Sequence, residues 1–142
     1  MRFDTFFDTW AWVAIVDKND HNHAVADKFY RQFLSHGNIP VTSDYVISES
    51  LTLLRRRVTI NIAVVFGETL FKSISIGRIK VENINYERWE KTWRLFKKFS
   101  DKPDISVVDF TSMVIMEEMR IKNIFSGDEH FEYVGMGFIR VP

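Results

Sequence analysis

The chain contains no cysteine. This excludes disulfides, thiolate zinc sites and thiol nucleophiles, and it accords with a reducing cytoplasm. Net charge is also absent, because 19 Lys and Arg residues balance 19 Asp and Glu residues. No global basic field exists to gather nucleic acid, so any such binding has to come from local patches. No apolar run approaches the ~20 residues of a membrane span. Asp4 and Asp8 interrupt the only early apolar stretch, so no signal peptide is expected either. No glycine-rich phosphate loop follows Asp8, which removes the common nucleotide-binding motifs. No repeat, low-complexity tract or linker divides the 142 residues, so one domain over 1–142 is expected.

What the chain does have is enough apolar material for a core, 46% hydrophobic residues, with 27% charged residues to keep the surface wet. The periodicities alternate between strand and helix. Arg2–Asp8 reads as a buried Phe-rich strand, Thr9–Val16 as a short helix, and Asn22–Ser35 as a helix stopped by His36-Gly37-Asn38. Ile39–Val41 is a short strand, and Ser43 is the N-cap of a helix through Leu54. A helix over Asn61–Ile74 leads through Gly77 to a strand at Ile79–Val81. Asn85–Phe99 is an amphipathic helix with Trp89, Trp93 and Phe96 facing in and Lys91, Arg94, Lys97 and Lys98 facing out. Ser106 opens a helix through Met119, and strands follow at Asn123–Ser126 and Phe138–Val141. This alternation predicts a three-layer α/β/α sandwich around a central parallel sheet.

Four acids, Asp8, Glu49, Asp109 and Asp128, fall where such a fold brings residues together. Asp8 and Asp128 follow strands, and Glu49 and Asp109 sit early in helices that flank the same edge. Function gathers outside the carboxyl ends of strands in an open parallel sheet. Carboxylates crowded there repel one another unless a cation neutralises them, so the arrangement points to a divalent metal site. Each acid also has an ordinary reading. Asp8 suits a helix N-cap, Glu49 a solvated helix position, and Asp128 a turn. Asp109, three residues after Ser106, suits a capping box.

Several short pieces carry a resemblance: Phe7-Asp8-Thr9, Asp20-His21-Asn22-His23-Ala24, Thr42 to Glu49, Ile105 to Ser112, and Phe125 to Phe131. In this order, over nearly the whole chain, they resemble the PIN-domain ribonucleases, and most closely the small VapC-type toxins. The resemblance implies an endoribonuclease that cuts single-stranded or looped RNA, with Asp8, Glu49, Asp109 and Asp128 holding Mg²⁺ or Mn²⁺. It also implies a hydroxyl from Ser112 near the metal, i+3 from Asp109 and so able to share its helix face. Hard oxygen ligands suit both ions. Asp8, Asp109 and Asp128 would be the main ligands, and Glu49 would ligate or deprotonate the attacking water. Such a reaction leaves 5′-phosphate and 3′-hydroxyl ends. An antitoxin protein and a second copy of the chain would be its partners; the apolar stretch Ile60–Phe66 lies on a helix that contributes to dimer packing in similar proteins, and burial within one subunit is the equal alternative. Gly127, often larger in the family, is expected to loosen Asp128.

Other features have bland readings beside functional ones. His130 reads as a structural histidine, with phosphate contact as the alternative. His21 and His23, at i and i+2, do not share a helix face and read as helix-start residues. Arg55-Arg56-Arg57 and the Lys91–Lys98 face offer phosphate contacts or solvated helix surfaces. Trp10 and Trp12 could stack on an unpaired base or belong to the core. A phosphatase would want a second acid after Asp8, where Trp10 stands, and a receiver domain would want a lysine where Glu129-His130 stand. A PIN scaffold that binds RNA or protein without cutting, or a free-standing RNA-processing nuclease, remains the alternative.

Overall fold

The computed structural model describes residues 2–142. The first half of the chain forms β1 (Thr5–Phe7), α1 (Thr9–Val16), α2 (His23–Ser35), β2 (Val41–Ser43), α3 (Asp44–Arg57) and α4 (Ile60–Ser75). The second half forms β3 (Lys80–Glu82), α5 (Tyr86–Lys98), α6 (Val107–Met119), β4 (Asn123–Phe125), α7 (His130–Tyr133) and β5 (Ile139–Val141). The strands make one parallel sheet in the order β3-β2-β1-β4-β5. Helices fill the crossovers, and right-handed connections place them on both faces, which gives the expected three-layer α/β/α sandwich. None of the helices among the described residues is long and apolar enough to cross a membrane.

The chain winds outward from β1 to β3, then returns to lay β4 on the other side of β1. The β1–β4 junction is therefore the topological switch point, where a crevice opens at the carboxyl ends. Its register pairs Phe7 with Phe125. Phe7 meets Trp12 at 4.9 Å, Phe33 at 5.1 Å, Phe125 at 5.0 Å and Tyr30 at 5.7 Å between ring centres. Phe7 and Phe125 are fully buried, so these contacts lock the two strand ends together, and truncating a ring of this kind costs about 3–5 kcal/mol.

Local chemistry sets the element ends. Ser43, Thr59, Asn85 and Ser106 each cap a helix by accepting a backbone N–H at 2.9–3.1 Å, worth about 1 kcal/mol apiece. β2 starts at Val41 rather than Ile39, after Pro40, which has no N–H to give a ladder. β1 is shorter than the Arg2–Asp8 run, which begins in a turn. The short α7 was not expected from periodicity; it starts from a turn in which Asp128 Oδ1 accepts the His130 N–H at 2.9 Å.

α5 departs from its expected orientation. Trp89, Trp93 and Phe96 do not face in; all three are exposed. The inner side is instead formed by Arg88, Thr92, Leu95 and Phe99. Arg88 is the anchor: it pairs with Glu82 at 2.8 Å and Glu118 at 3.2 Å and donates to the Asn83 carbonyl at 2.9 Å. Thr92 Oγ1 donates to the Arg88 carbonyl at 2.8 Å. A satisfied polar seam thus turns the helix by about one residue step relative to a purely apolar pattern.

Candidate active site

Because Phe7 and Phe125 are paired, the residues that follow them leave the sheet side by side. Asp8 N–H donates to the Phe125 carbonyl at 3.2 Å, and Ser126 Oγ donates to Asp8 Oδ2 at 2.8 Å. The same Ser126 oxygen accepts the Asp128 N–H at 3.0 Å, so one hydroxyl spaces the two acids. Arg140 donates to the Gly127 carbonyl at 3.0 Å. A Cβ on residue 127 would fall 2.4 Å from Trp10 Cε2. The Trp10 indole occupies the room a larger side chain would take, and this loop is pinned, not loosened.

Asp109 enters from the first turn of α6. Its Oδ2 accepts the Ser106 N–H at 3.3 Å while Ser106 Oγ accepts the Asp109 N–H at 3.0 Å. The carboxylate that closes the capping box is therefore the same one that lines the cleft. Glu49, half-buried on α3, completes the group. All four acids line one cleft of about 290 Å³, together with Thr9, Trp10, Asp20, Arg57, Asp104 and Ser106.

Two of the carboxylates are held away from water. Asp8 is 4% exposed. Burial, then the charge of Asp109 and more weakly that of Glu49, push it from 3.8 to about 8, against the Ser126 and Thr9 hydrogen bonds that favour its ionised form. Burial and the charge of Asp128 raise Asp109 to about 6, opposed by the Ser106 N–H and by His130. Donor atoms of Asp109, Asp128 and His130 lie within 4.8 Å of one another. Thr9 Oγ1 is buried in the cleft and has no hydrogen-bond partner among the described residues. Hard oxygen donors, mutual repulsion and an orphaned hydroxyl fit a divalent cation with part of its water shell.

The remaining candidates sort clearly. Ser112 is fully buried one turn along α6, donates to the Val108 carbonyl at 3.1 Å, and does not line the cleft. His130 Nδ1 lies 3.0 Å from Asp128 Oδ1 and 3.6 Å from Asp109 Oδ2 but is out of line for a hydrogen bond to either. His23 Nδ1 meets the Ala14 carbonyl at 2.8 Å, a structural contact. Trp12 is core, 3.3 Å from Thr42 Oγ1, whereas Trp10 reaches the cleft. Arg57 alone of the arginine run lines it. Sequence reasoning missed Ser126; the signal was its place after β4, level with Asp8.

The chain is similar in sequence and fold to known proteins. The PIN domain family pattern matches residues 5–136. The chain is 27% identical over 135 residues to the 23S rRNA-specific endonuclease VapC20 of Mycobacterium tuberculosis, covering 95% of this chain and 97% of that protein. It superposes on the crystal structure of VapC20, described as a sarcin-ricin loop cleaving toxin, with a TM-score of 0.82, 27% identity, and coverage of 96% and 98%. VapBC2 from Rickettsia felis, bound to a promoter DNA fragment, matches with a TM-score of 0.66 over 96% of each chain at 12% identity, a likeness of fold. With a match that spans every helix and four of the five strands, the chain belongs to the PIN domain family.

Proposed function

We propose that this protein is a metal-dependent endoribonuclease that cuts single-stranded or looped RNA, the toxin of a toxin–antitoxin pair. The observation that carries this reading is the convergence of Asp8, Glu49, Asp109 and Asp128 on one cleft at the β1–β4 switch point. Asp8, Asp109 and Asp128 are the groups we assign to hold Mg²⁺ or Mn²⁺. When bound, that ion supplies compensating charge for the scissile phosphate and an acidified water. Glu49, half-buried on α3, orients and deprotonates the attacking water. Arg57 at the cleft wall is suited to a flanking phosphate. Ser112 acts, on this reading, by supporting the first turn of α6.

The relatives named above supply the substrate to try first, a ribosomal RNA loop. On this reading the protein works in the cytoplasm, with an antitoxin to restrain it. An apolar groove of about 410 Å³, lined by Trp12, Ile15, Tyr30, Ile62, Val65 and Phe66, shares no lining residue with the acidic cleft. It supports a protein partner, and the exposed Ile60, Val64 and Val65 of α4 support a homodimer.

The test is cleavage of structured ribosomal RNA by purified protein with Mn²⁺, Mg²⁺ or EDTA, beside Asp8→Asn and Asp109→Asn. The expected result is metal-dependent cutting with 5′-phosphate ends that both substitutions abolish. Retained cutting by a well-folded Asp109→Asn protein overturns the mechanism, and no cutting with either metal reassigns the chain as a binding scaffold.

A further inference from the structure

The rotated α5 leaves four aromatic side chains outside: Tyr86 at 76% exposure, Trp89 at 40%, Trp93 at 53% and Phe96 at 41%. Their spacing of three, four and three residues puts them in one stripe along the helix. Exposed aromatic surface of this extent on a soluble domain marks a contact face. The Trp93 and Phe96 rings lie nearly parallel, 11° apart with centres 5.1 Å apart.

The stripe is continuous with the acidic cleft. Trp89 meets the Tyr45 ring at 6.1 Å. Asp44, Tyr45, Ser48, Glu49 and Val108 line an adjoining depression, and Glu49 also lines the cleft itself. At the other end, Phe96 packs on the buried Phe110, 6.3 Å away between ring centres, which anchors the stripe to α6. Charge is distributed unevenly along α5. Glu87 and Glu90 lie in its first half, and from Trp93 onward its charged residues are Arg94, Lys97 and Lys98. Arg94 and Lys97 are exposed and make no ion pair among the described residues, Arg94 lying over a depression it shares with Glu117 and Glu118 of α6. Lys91 is held by Glu118 at 3.1 Å and is not counted with them.

We infer that the Tyr45–Trp89–Trp93–Phe96 stripe is a stacking platform for unpaired RNA bases flanking the scissile phosphate, with Arg94 and Lys97 on the backbone. This rests on the nuclease reading above and names how its substrate is held. Flat indole and phenyl faces beside free cations are the chemistry that grips single-stranded nucleic acid without reading its sequence. A duplex buries its base faces and has none to offer such a stripe.

The test uses the full-length Asp8→Asn protein, in Mg²⁺, and a labelled unpaired RNA of about a dozen nucleotides beside a blunt duplex. Fluorescence anisotropy is expected to show preference for the unpaired RNA. Trp93→Ala and Trp89→Ala, at exposed positions, are each expected to weaken it roughly tenfold. Trp93→Phe should retain most of the affinity, because it keeps a ring face. In the active protein, Trp93→Ala should raise KM for a looped RNA with kcat unchanged. Unchanged affinity and KM in the Trp89→Ala, Trp93→Ala double variant overturns the inference, and a loss of dimer in that variant with RNA affinity intact assigns the stripe to a protein contact instead. Cutting with an unaffected KM removes the platform while leaving the nuclease standing. Stripe-dependent binding without metal-dependent cutting by the active protein does the reverse.

Discussion

Replacing Asp8 by Asn should stabilise the metal-free protein, and the gain should grow with pH. The carboxyl is fully enclosed in the folded state and stands near 8, against 3.8 for its ordinary value. Between those two values the folded protein binds a proton that the unfolded chain does not, so folding stability falls as pH rises through that window and levels off above about 8. At about 1.4 kcal/mol for each tenfold change in the proton equilibrium, the ceiling above pH 8 is on the order of 5 kcal/mol. The amide keeps an oxygen for Ser126 Oγ but brings an N–H₂ that needs a partner, which costs about 1–3 kcal/mol. A net gain of roughly 2–4 kcal/mol at pH 8 remains. Near pH 5 the carboxylate penalty is under about 2 kcal/mol, so the gain should vanish or reverse. The assay is urea denaturation of both proteins in EDTA from pH 5 to pH 9. Equal stability of the two proteins at pH 8, or parallel pH dependences, would refute the claim that Asp8 is held against its ionisation by burial and Asp109.

The same groups make metal binding pH-dependent. Asp8 near 8 and Asp109 near 6 must shed protons before they can ligate. Mn²⁺ affinity measured by calorimetry should therefore weaken by up to about a hundredfold from pH 8 to pH 6, with proton release on binding visible in buffers of different ionisation heat. A flat affinity across that range would place the ion elsewhere. Gly127→Ala, whose new methyl would meet the Trp10 ring at 2.4 Å, should cost about 1–3 kcal/mol in thermal denaturation. Adding Trp10→Ala should relieve that clash; if the double variant shows no such recovery, the two residues are not packed as described.

The Phe-rich first strand, the Ser and Asn caps and the alternation of apolar periods were legible in the sequence because each is written in neighbouring residues. So was the candidate quartet, since Asp8 and Asp128 follow strand-like runs and Asp109 follows a capping serine. Four acids in one chain do not by themselves share a site. The β1–β4 register, Phe7 against Phe125, is what sets Asp8 beside Ser126 and Asp128, and that pairing joins residues more than a hundred positions apart. The raised proton affinities of Asp8 and Asp109 are likewise tertiary, because they come from enclosure and from one another's charge.

Two readings of single side chains depended on the fold. Gly127 looked like a loosening, yet Trp10, distant in sequence, fills its space. α5 looked like a helix with three aromatic residues turned to the core, but Arg88 finds two carboxylates, on β3 and α6, and takes the inner position. Local sequence determined the elements and the chemical types available for a site, because periodicity and capping act within one turn. Only the tertiary structure decided which carboxylates meet, which are denied water and which face of α5 is left outside. Register, burial and ion pairing between distant residues are properties of the packed whole.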